Sequence, residues 1–272
     1  MISCKEYAQH KKEELKARVN AMDRKPCLVV VQIGNDSASN SYIKGKKTDC
    51  EFVGIKIDHW QLHDSCTTKG VIDLIKGMNE DDNVSGIIVQ LPIPKHLDEE
   101  VILNSIAVEK DVDGFRRDSC FKPCTPKGII DWFDYNNYEL EGVNAVVAGR
   151  SKIVGKPLVN MLIDRGATVT CIHSKTRNKP HYSWGAELFI SAIGKPNYWD
   201  YDDFGGAEVI VDVGINRDEN GKLCGDVYKV DFDNLDPYTY VTPVPNGVGL
   251  LTRVALLENV VTSAERKNQC GC

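Results

Sequence analysis

Three short stretches of the chain hold an amine, an amide and carboxylates suited to acid–base chemistry. Tyr42 and Lys46 lie four positions apart in a segment of helical pattern, residues 39–53, and so share one face about a turn apart. The pair can address one ligand, although taken alone it is more often a packed ring beneath a solvated ammonium. Lys44 and Lys47 are near neighbours, and like charges depress an amine's proton affinity. Gln90 ends a β-branched run in Val89-Gln90-Leu91-Pro92, placing an amide at the carboxyl end of a parallel strand, where ligands collect. A Gln that merely opens a loop is the plainer alternative. Lys110-Asp111-Val112-Asp113-Gly114 sets two carboxylates before a glycine, as a turn or half a calcium loop would. The oxygen-rich continuation and closing Glu of a calcium loop are missing, so that reading is discarded.

A second constellation suits a dinucleotide. After the strand pattern at 144–148 the chain reads Gly149-Arg150-Ser151-Lys152-Ile153-Val154-Gly155-Lys156-Pro157 and opens a helix. A strand, a glycine-bearing turn and a helix present free amides and the positive end of a helix dipole to phosphate. The glycine spacing is wider than G-x-G-x-x-G, and a plain turn fits the same residues. Beyond the next strand pattern, 167–172, an NAD site usually carries an acidic residue for the ribose diol. Here the residues are His173-Ser174-Lys175-Thr176-Arg177. Hydroxyls and cations stand where a 2′-phosphate would lie, with Arg150 available from the turn, so NADP is preferred to NAD. A solvated basic turn is the alternative. Two later turns, Ser191-Ala192-Ile193-Gly194-Lys195-Pro196 and Asp212-Val213-Gly214-Ile215-Asn216, follow strands with small residues that admit a flat cofactor. Gly149, Arg150, Ser151, Ser174 and Ile215 are therefore the candidate cofactor-binding residues.

The elements that must position these groups alternate. Apolar, β-branched runs at 27–33, 55–62, 86–90, 144–148, 167–172, 188–192 and 209–213 are separated by helical patterns at 39–53, 67–78, 99–106, 125–136 and 155–165. A last helix is expected at 249–267, and residues 1–23 read as an ordinary first helix rather than a leader. Such alternation predicts an α/β fold with parallel sheets, in two lobes given the length of 272 residues. A hinge is expected at 121–126, and the rigid Thr242-Pro243-Val244-Pro245-Asn246-Gly247 can return the chain to the first lobe. No apolar run spans a membrane. The net charge of −6, with both signs interspersed, argues for a small-molecule partner rather than nucleic acid. The ten cysteines lack paired metal-ligand spacing, so reduced thiols in a cytosol and no metal are expected, with Cys270-Gly271-Cys272 a frayed tail.

Taken together, Ser39-Asn40-Ser41-Tyr42-Ile43-Lys44-Gly45-Lys46, Val89-Gln90-Leu91-Pro92, Lys110-Asp111-Val112-Asp113-Gly114, Pro123-Cys124-Thr125-Pro126-Lys127-Gly128, the Gly149 turn, Asp212-Val213-Gly214-Ile215-Asn216 and Thr242-Pro243-Val244-Pro245 resemble the bifunctional methylenetetrahydrofolate dehydrogenase/cyclohydrolase family, in order and spacing, nearly end to end. The resemblance implies a folate-binding lobe at 1–125, rejoined by the helix 250–272, a Rossmann-type NADP lobe at 126–249, an active cleft between them, and a homodimer. It implies that Lys46 is the catalytic lysine, Tyr42 the ring that stacks on the folate, Gln90 the hydrogen-bonding companion of the lysine, and Asp113 the carboxylate that grips the pterin. It also places Arg150 and Ser174 at the NADP phosphate.

This sequence departs from the family's Pro-Gly-Gly-Val-Gly-Pro-Met-Thr run at Asn246 and Leu250. Asn246 tolerates a left-handed backbone much as glycine does. Gly45 inside the catalytic helix costs roughly 1 kcal/mol relative to alanine and is expected to loosen Lys46. A dehydrogenase without the hydrolase step, a non-catalytic NADP sensor and a dehydrogenase for another small substrate are the rival readings.

Overall fold

The computed structural model describes residues 1–228 and 238–270, which leaves Gly271 and Cys272 of the expected tail outside the described residues. Compact packing divides the chain into a unit of Gln9–Cys124 with Arg253–Cys272 and a unit of Met1–Ala8 with Thr125–Thr252. Residues 1–8 thus belong with the later unit, where the Tyr7 ring meets Tyr135 edge-on at 5.2 Å and the Ile2 amide donates to the Asn136 side chain at 2.6 Å.

The Gln9–Cys124 unit is built on a parallel sheet of β1 (Cys27–Ile33), β2 (Lys56–Leu62) and β3 (Gly86–Gln90), in the order β2-β1-β3. The central β1 is CLVVVQI, buried at every position, as a strand covered on both faces must be. The edge strand β2, KIDHWQL, is polar and at most half-buried along its length, and such charged, polar edges discourage pairing with another chain. Helix α1 (Cys4–Asn20) precedes the sheet, α2 (Ser37–Val53) follows β1, and α3 (Thr68–Glu80) and α4 (Glu99–Asn104) flank β3. Asp36 caps α2 by accepting from the Ser39 amide at 2.7 Å.

The Thr125–Thr252 unit opens with α5 (Cys124–Tyr135) and holds a five-stranded parallel sheet. Its strands are β4 (Asn144–Ala148), β5 (Thr168–Ile172), β6 (Leu188–Ser191), β7 (Val209–Asp212) and β10 (Tyr240–Val241), in the order β10-β7-β6-β4-β5. Helix α6 (Gly155–Asp164) links β4 to β5, the short α7 (Lys179–Ser183) follows β5, and β8 (Asn216–Arg217) pairs antiparallel with β9 (Leu223–Cys224). The two-residue β10 and the β8/β9 hairpin are too short to leave a periodic signal. The last helix, α8 (Val248–Cys270), buries Leu256, Leu257, Val260 and Val261 against the first unit's core, at about 1.5–3 kcal/mol for each such side chain. No described helix is long and apolar enough to cross a membrane, and no three His, Cys, Asp or Glu among the described residues gather as a metal site.

Each sheet has one place where the chain leaves a central strand toward one side and returns on the other. In the first sheet β1 has β2 and β3 as its neighbours; in the second β4 has β5 and β6. The carboxyl ends of β1 and β4 are therefore the crevices where ligands bind in open α/β sheets.

Candidate active site

The first crevice holds Lys46. Helix α2 leaves β1 and presents Lys46, 5% exposed, beside the end of β3, where its Nζ donates to Gln90 Oε1 at 3.0 Å. Gln90 is oriented in turn by donating from Nε2 to the Leu91 carbonyl at 2.9 Å, which leaves its oxygen toward the lysine. The Tyr42 ring lies one helical turn away, its centroid 5.1 Å from the ammonium. Burial holds the Lys46 amine below the usual lysine range, opposed by the negative charge of Asp113. The same loss of solvent pushes the Asp113 carboxyl up, opposed by Lys46. Burial thus disfavours the charged form of each group, and each group's charge partly restores that of the other.

The structure separates the two carboxylates of Lys110-Asp111-Val112-Asp113-Gly114. Asp111 is fully buried and accepts the Phe115 and Arg116 amides at 3.4 and 3.0 Å, a structural turn. Lys110 donates to the carbonyls of Met78, Asn79 and Asp81 at 3.0, 2.6 and 2.8 Å, closing the carboxyl end of α3. Asp113 alone of the three interacts with Lys46. Asn259 of α8 holds this loop by donating to the Val112 carbonyl at 2.9 Å.

Gly45 has a packing reason of its own. A Cβ there would lie 1.9 Å from Nη1 of Arg253, whose Nε is ion-paired with the buried Asp49 at 3.1 Å while Lys12 reaches the same carboxylate at 3.2 Å. The glycine makes room for a guanidinium that ties α2 to α8. Replacing a helical glycine by alanine ordinarily stabilises by about 1 kcal/mol, but Gly45→Ala is expected to gain nothing, because Arg253 must leave Asp49. In an Arg253→Met background the ordinary gain should return, and a double-mutant cycle in urea measures the difference; equal effects in both backgrounds would contradict the steric account.

The second crevice is a groove of about 220 Å³ at the end of β4. Its walls include Gly149, Arg150, Ser174, Lys179, Lys195 and Tyr198. Gly149 has φ +122°, and a Cβ would lie 2.4 Å from the Ala192 carbonyl, so only glycine brings the turn this close to β6. Ser151 accepts the Val154 and Gly155 amides at 3.2 Å, capping the start of α6, and does not line the groove. Ile215, 58% exposed, is likewise absent from its walls. Arg150 and Ser174 both line it. Three cations and no carboxylate wall this groove in a chain of net charge −6, and the fit is to a phosphorylated nucleotide. Asn246 has φ +75°, the left-handed backbone that lets it stand where the related run carries glycine.

Two buried carboxylates support the turns after β6 and β7: Asp226, which sequence reasoning passed over, and Asp212, which it took only as the head of a turn. Asp226 is wholly buried and accepts five hydrogen bonds: from the Ser191 hydroxyl at 2.8 Å, the Ile193, Gly194 and Lys195 amides at 2.8, 3.3 and 2.9 Å, and the Asn216 side chain at 2.9 Å. Asp212 accepts the Gly214, Asp226 and Val227 amides, each at 2.9 Å, and burial pushes its carboxyl up to about 6. Asp226 thereby fixes the Ile193–Lys195 edge of the groove. The glycine before Asp226 is the only local signal, and it does not say which amides will converge on the carboxylate.

A parallel-sheet unit with a glycine turn and a cationic groove, together with a unit that buries a lysine against an amide, defines a two-domain nucleotide-dependent dehydrogenase. The chain belongs to the tetrahydrofolate dehydrogenase/cyclohydrolase family: the model of the catalytic domain matches residues 2–113, and that of the NAD(P)-binding domain matches residues 123–268. The bifunctional protein FolD of Campylobacter hominis is 43% identical over 280 residues, covering 98% of both chains. Among solved structures, the bifunctional FolD methylenetetrahydrofolate dehydrogenase/cyclohydrolase of Campylobacter jejuni superposes with a TM-score of 0.92 at 40% identity, over 97% of this chain and 98% of that one. The Trypanosoma brucei enzyme, solved with NADP and an inhibitor, gives 0.90 at 28% identity, over 99% and 98%.

Proposed function

We propose that the protein oxidises 5,10-methylenetetrahydrofolate to the 5,10-methenyl form with NADP and hydrolyses that product to 10-formyltetrahydrofolate. The observation that carries the reading is the buried Lys46, held by Gln90 beside Tyr42 and facing the charge of Asp113. The Gln9–Cys124 unit with α8 is the folate domain of this reading and the Thr125–Thr252 unit its nucleotide domain.

NADP, when bound, supplies the hydride acceptor. Gly149 brings the turn's amides to its diphosphate, Arg150 and Ser174 take the ribose phosphate, and the Ile193–Lys195 edge borders it. Oxidation needs mainly position, because the nitrogen beside the methylene carbon donates its lone pair as that carbon becomes cationic. Hydrolysis adds water to the cationic carbon and then opens the ring, so protons must move at a crowded centre. An amine with lowered proton affinity, its orientation set by Gln90, accepts and returns such a proton more readily than an exposed lysine would. The Tyr42 ring provides a face for the folate, and Asp113 accepts from the donor-rich edge of the pterin. The Lys46–Gln90 bond favours the bifunctional reading over a dehydrogenase that has lost hydrolysis. We further read the protein as a cytoplasmic homodimer without nucleic-acid or membrane partners; the free state of all eight described cysteines supports a reducing compartment.

Purified protein given methylenetetrahydrofolate and NADP should produce NADPH with no lasting methenyl absorbance. Lasting accumulation of the methenyl species would remove the hydrolase half, and absence of NADPH the whole reading. Arg150→Ala should raise the KM for NADP about 10-fold or more while changing that for NAD little, since a charge-assisted contact to phosphate is worth about 1.5–3 kcal/mol. An unchanged NADP-to-NAD ratio in steady-state kinetics removes Arg150 from the phosphate.

A further inference from the structure

The cofactor groove gathers more positive charge than Arg150 supplies. Lys179 is the first residue of α7, five positions beyond Ser174, and Lys195 stands in the turn after β6. Both converge on Tyr198. The Lys179 ammonium donates to the Tyr198 hydroxyl at 2.8 Å and lies 5.3 Å from the ring centroid, and the Lys195 ammonium lies 5.1 Å from the same centroid. Lys179, Lys195 and Tyr198 all line the groove with Arg150, His173 and Ser174.

Two ammonium groups on one ring repel each other, and the ring's negative face offsets only part of that repulsion. The usual remedy is a carboxylate, yet neither lysine is ion-paired with any described residue, and no Asp or Glu lines the groove. An arrangement of this kind is completed by an anion carrying more than one charge. The diphosphate of a dinucleotide is already addressed by the Gly149 turn and the start of α6, whereas Ser174 and Lys179 follow β5, the strand whose end meets the ribose. A 2′-phosphate, with close to two negative charges at neutral pH, matches this location and this charge.

We propose that Lys179 and Lys195, gathered on Tyr198, form a second cationic arm of the groove that binds the ribose 2′-phosphate opposite the contribution of Arg150, and so help select NADP over NAD. The proposal rests on the NADP reading above and adds the residues that set the preference. Tyr198 is a positioning residue, its hydroxyl holding Lys179 and its ring holding both amines near the phosphate.

Calorimetric titration of the full chain with adenosine 2′,5′-bisphosphate and with adenosine 5′-monophosphate tests it without turnover. The unaltered protein should prefer the bisphosphate. Lys179→Met should weaken bisphosphate binding about 10- to 100-fold and monophosphate binding less than about twofold. Lys195→Met should act in the same sense, and Tyr198→Phe, which keeps the ring and loses the hydroxyl, should cost the bisphosphate about threefold. If the unaltered protein discriminates but both methionine variants bind the bisphosphate as it does, the second arm is wrong and the NADP reading stands. Equal loss of both probes also overturns it, since that marks a damaged groove. If the unaltered protein shows no preference, the NADP reading itself falls and the arm with it.

Discussion

Lys46→Met is expected to slow hydrolysis of methenyltetrahydrofolate by about 10²- to 10⁴-fold, the range a positioned acid–base group contributes. Methionine fills most of the volume without the charge. Because the ammonium is buried at a desolvation cost, the variant should fold at least as stably as the parent. Gln90 keeps its bond to the Leu91 carbonyl, so the strand end is not unravelled. The groove at the end of β4 is built wholly from the other unit, and NADP affinity should therefore be unchanged. Dehydrogenation should fall less than hydrolysis, since it relies on position. The pH profile gives a second signature. With Lys46 held below the usual lysine range, the hydrolysis rate should rise with pH through an ionisation lower than that of an exposed lysine, and this limb should vanish in the methionine variant. Decay of the methenyl absorbance measures the rate, and a variant within a few-fold of the parent would remove Lys46 from the chemistry.

Asp226→Ala should have the largest effect on stability. One buried carboxylate satisfies three amides, a hydroxyl and an Asn side chain, and removing it strands those donors away from water. Each buried donor left unsatisfied costs about 1–3 kcal/mol, so a loss of about 4 kcal/mol or more is expected, against total stabilities of about 5–15. Relief of repulsion with Asp212, whose carboxyl is pushed up partly by Asp226, offsets less than one such bond. Asp226→Asn keeps the shape and one oxygen acceptor, and should fall between the two. Because Ile193 and Lys195 line the groove, the asparagine variant should also bind NADP more weakly while it remains folded. Urea unfolding of the three proteins, followed by NADP titration of the folded ones, checks both statements. An alanine variant within about 1 kcal/mol of the parent would show that water replaces the carboxylate.

What the chain states locally reached far. Continuous β-branched runs such as Leu28-Val29-Val30-Val31 specify strands buried on both faces, hence parallel sheets with helical crossovers. The four-residue spacing of Tyr42 and Lys46 specifies one helix face, and Gln90 at a strand end specifies an amide at the carboxyl edge of the sheet. These features depend on neighbours within a turn or a strand, so periodicity and propensity record them.

Other features arise between residues far apart in the chain, where periodicity is silent. Asp111 and Asp113 are chemically alike and two positions apart, yet one closes a turn and the other answers Lys46, a choice made by the loop's packing under Asn259 of α8. Gly45 reads as a weak point until Arg253 passes across it, and beyond one glycine nothing around Asp226 in the sequence marks it as the acceptor of five hydrogen bonds. Lys179 and Lys195 become one site only because β5 and β6 end on either side of β4. Secondary structure and candidate chemistry followed from local residue order; which charges were paired, stranded or brought together was decided by sheet topology, since burial and proximity are properties of the folded chain alone.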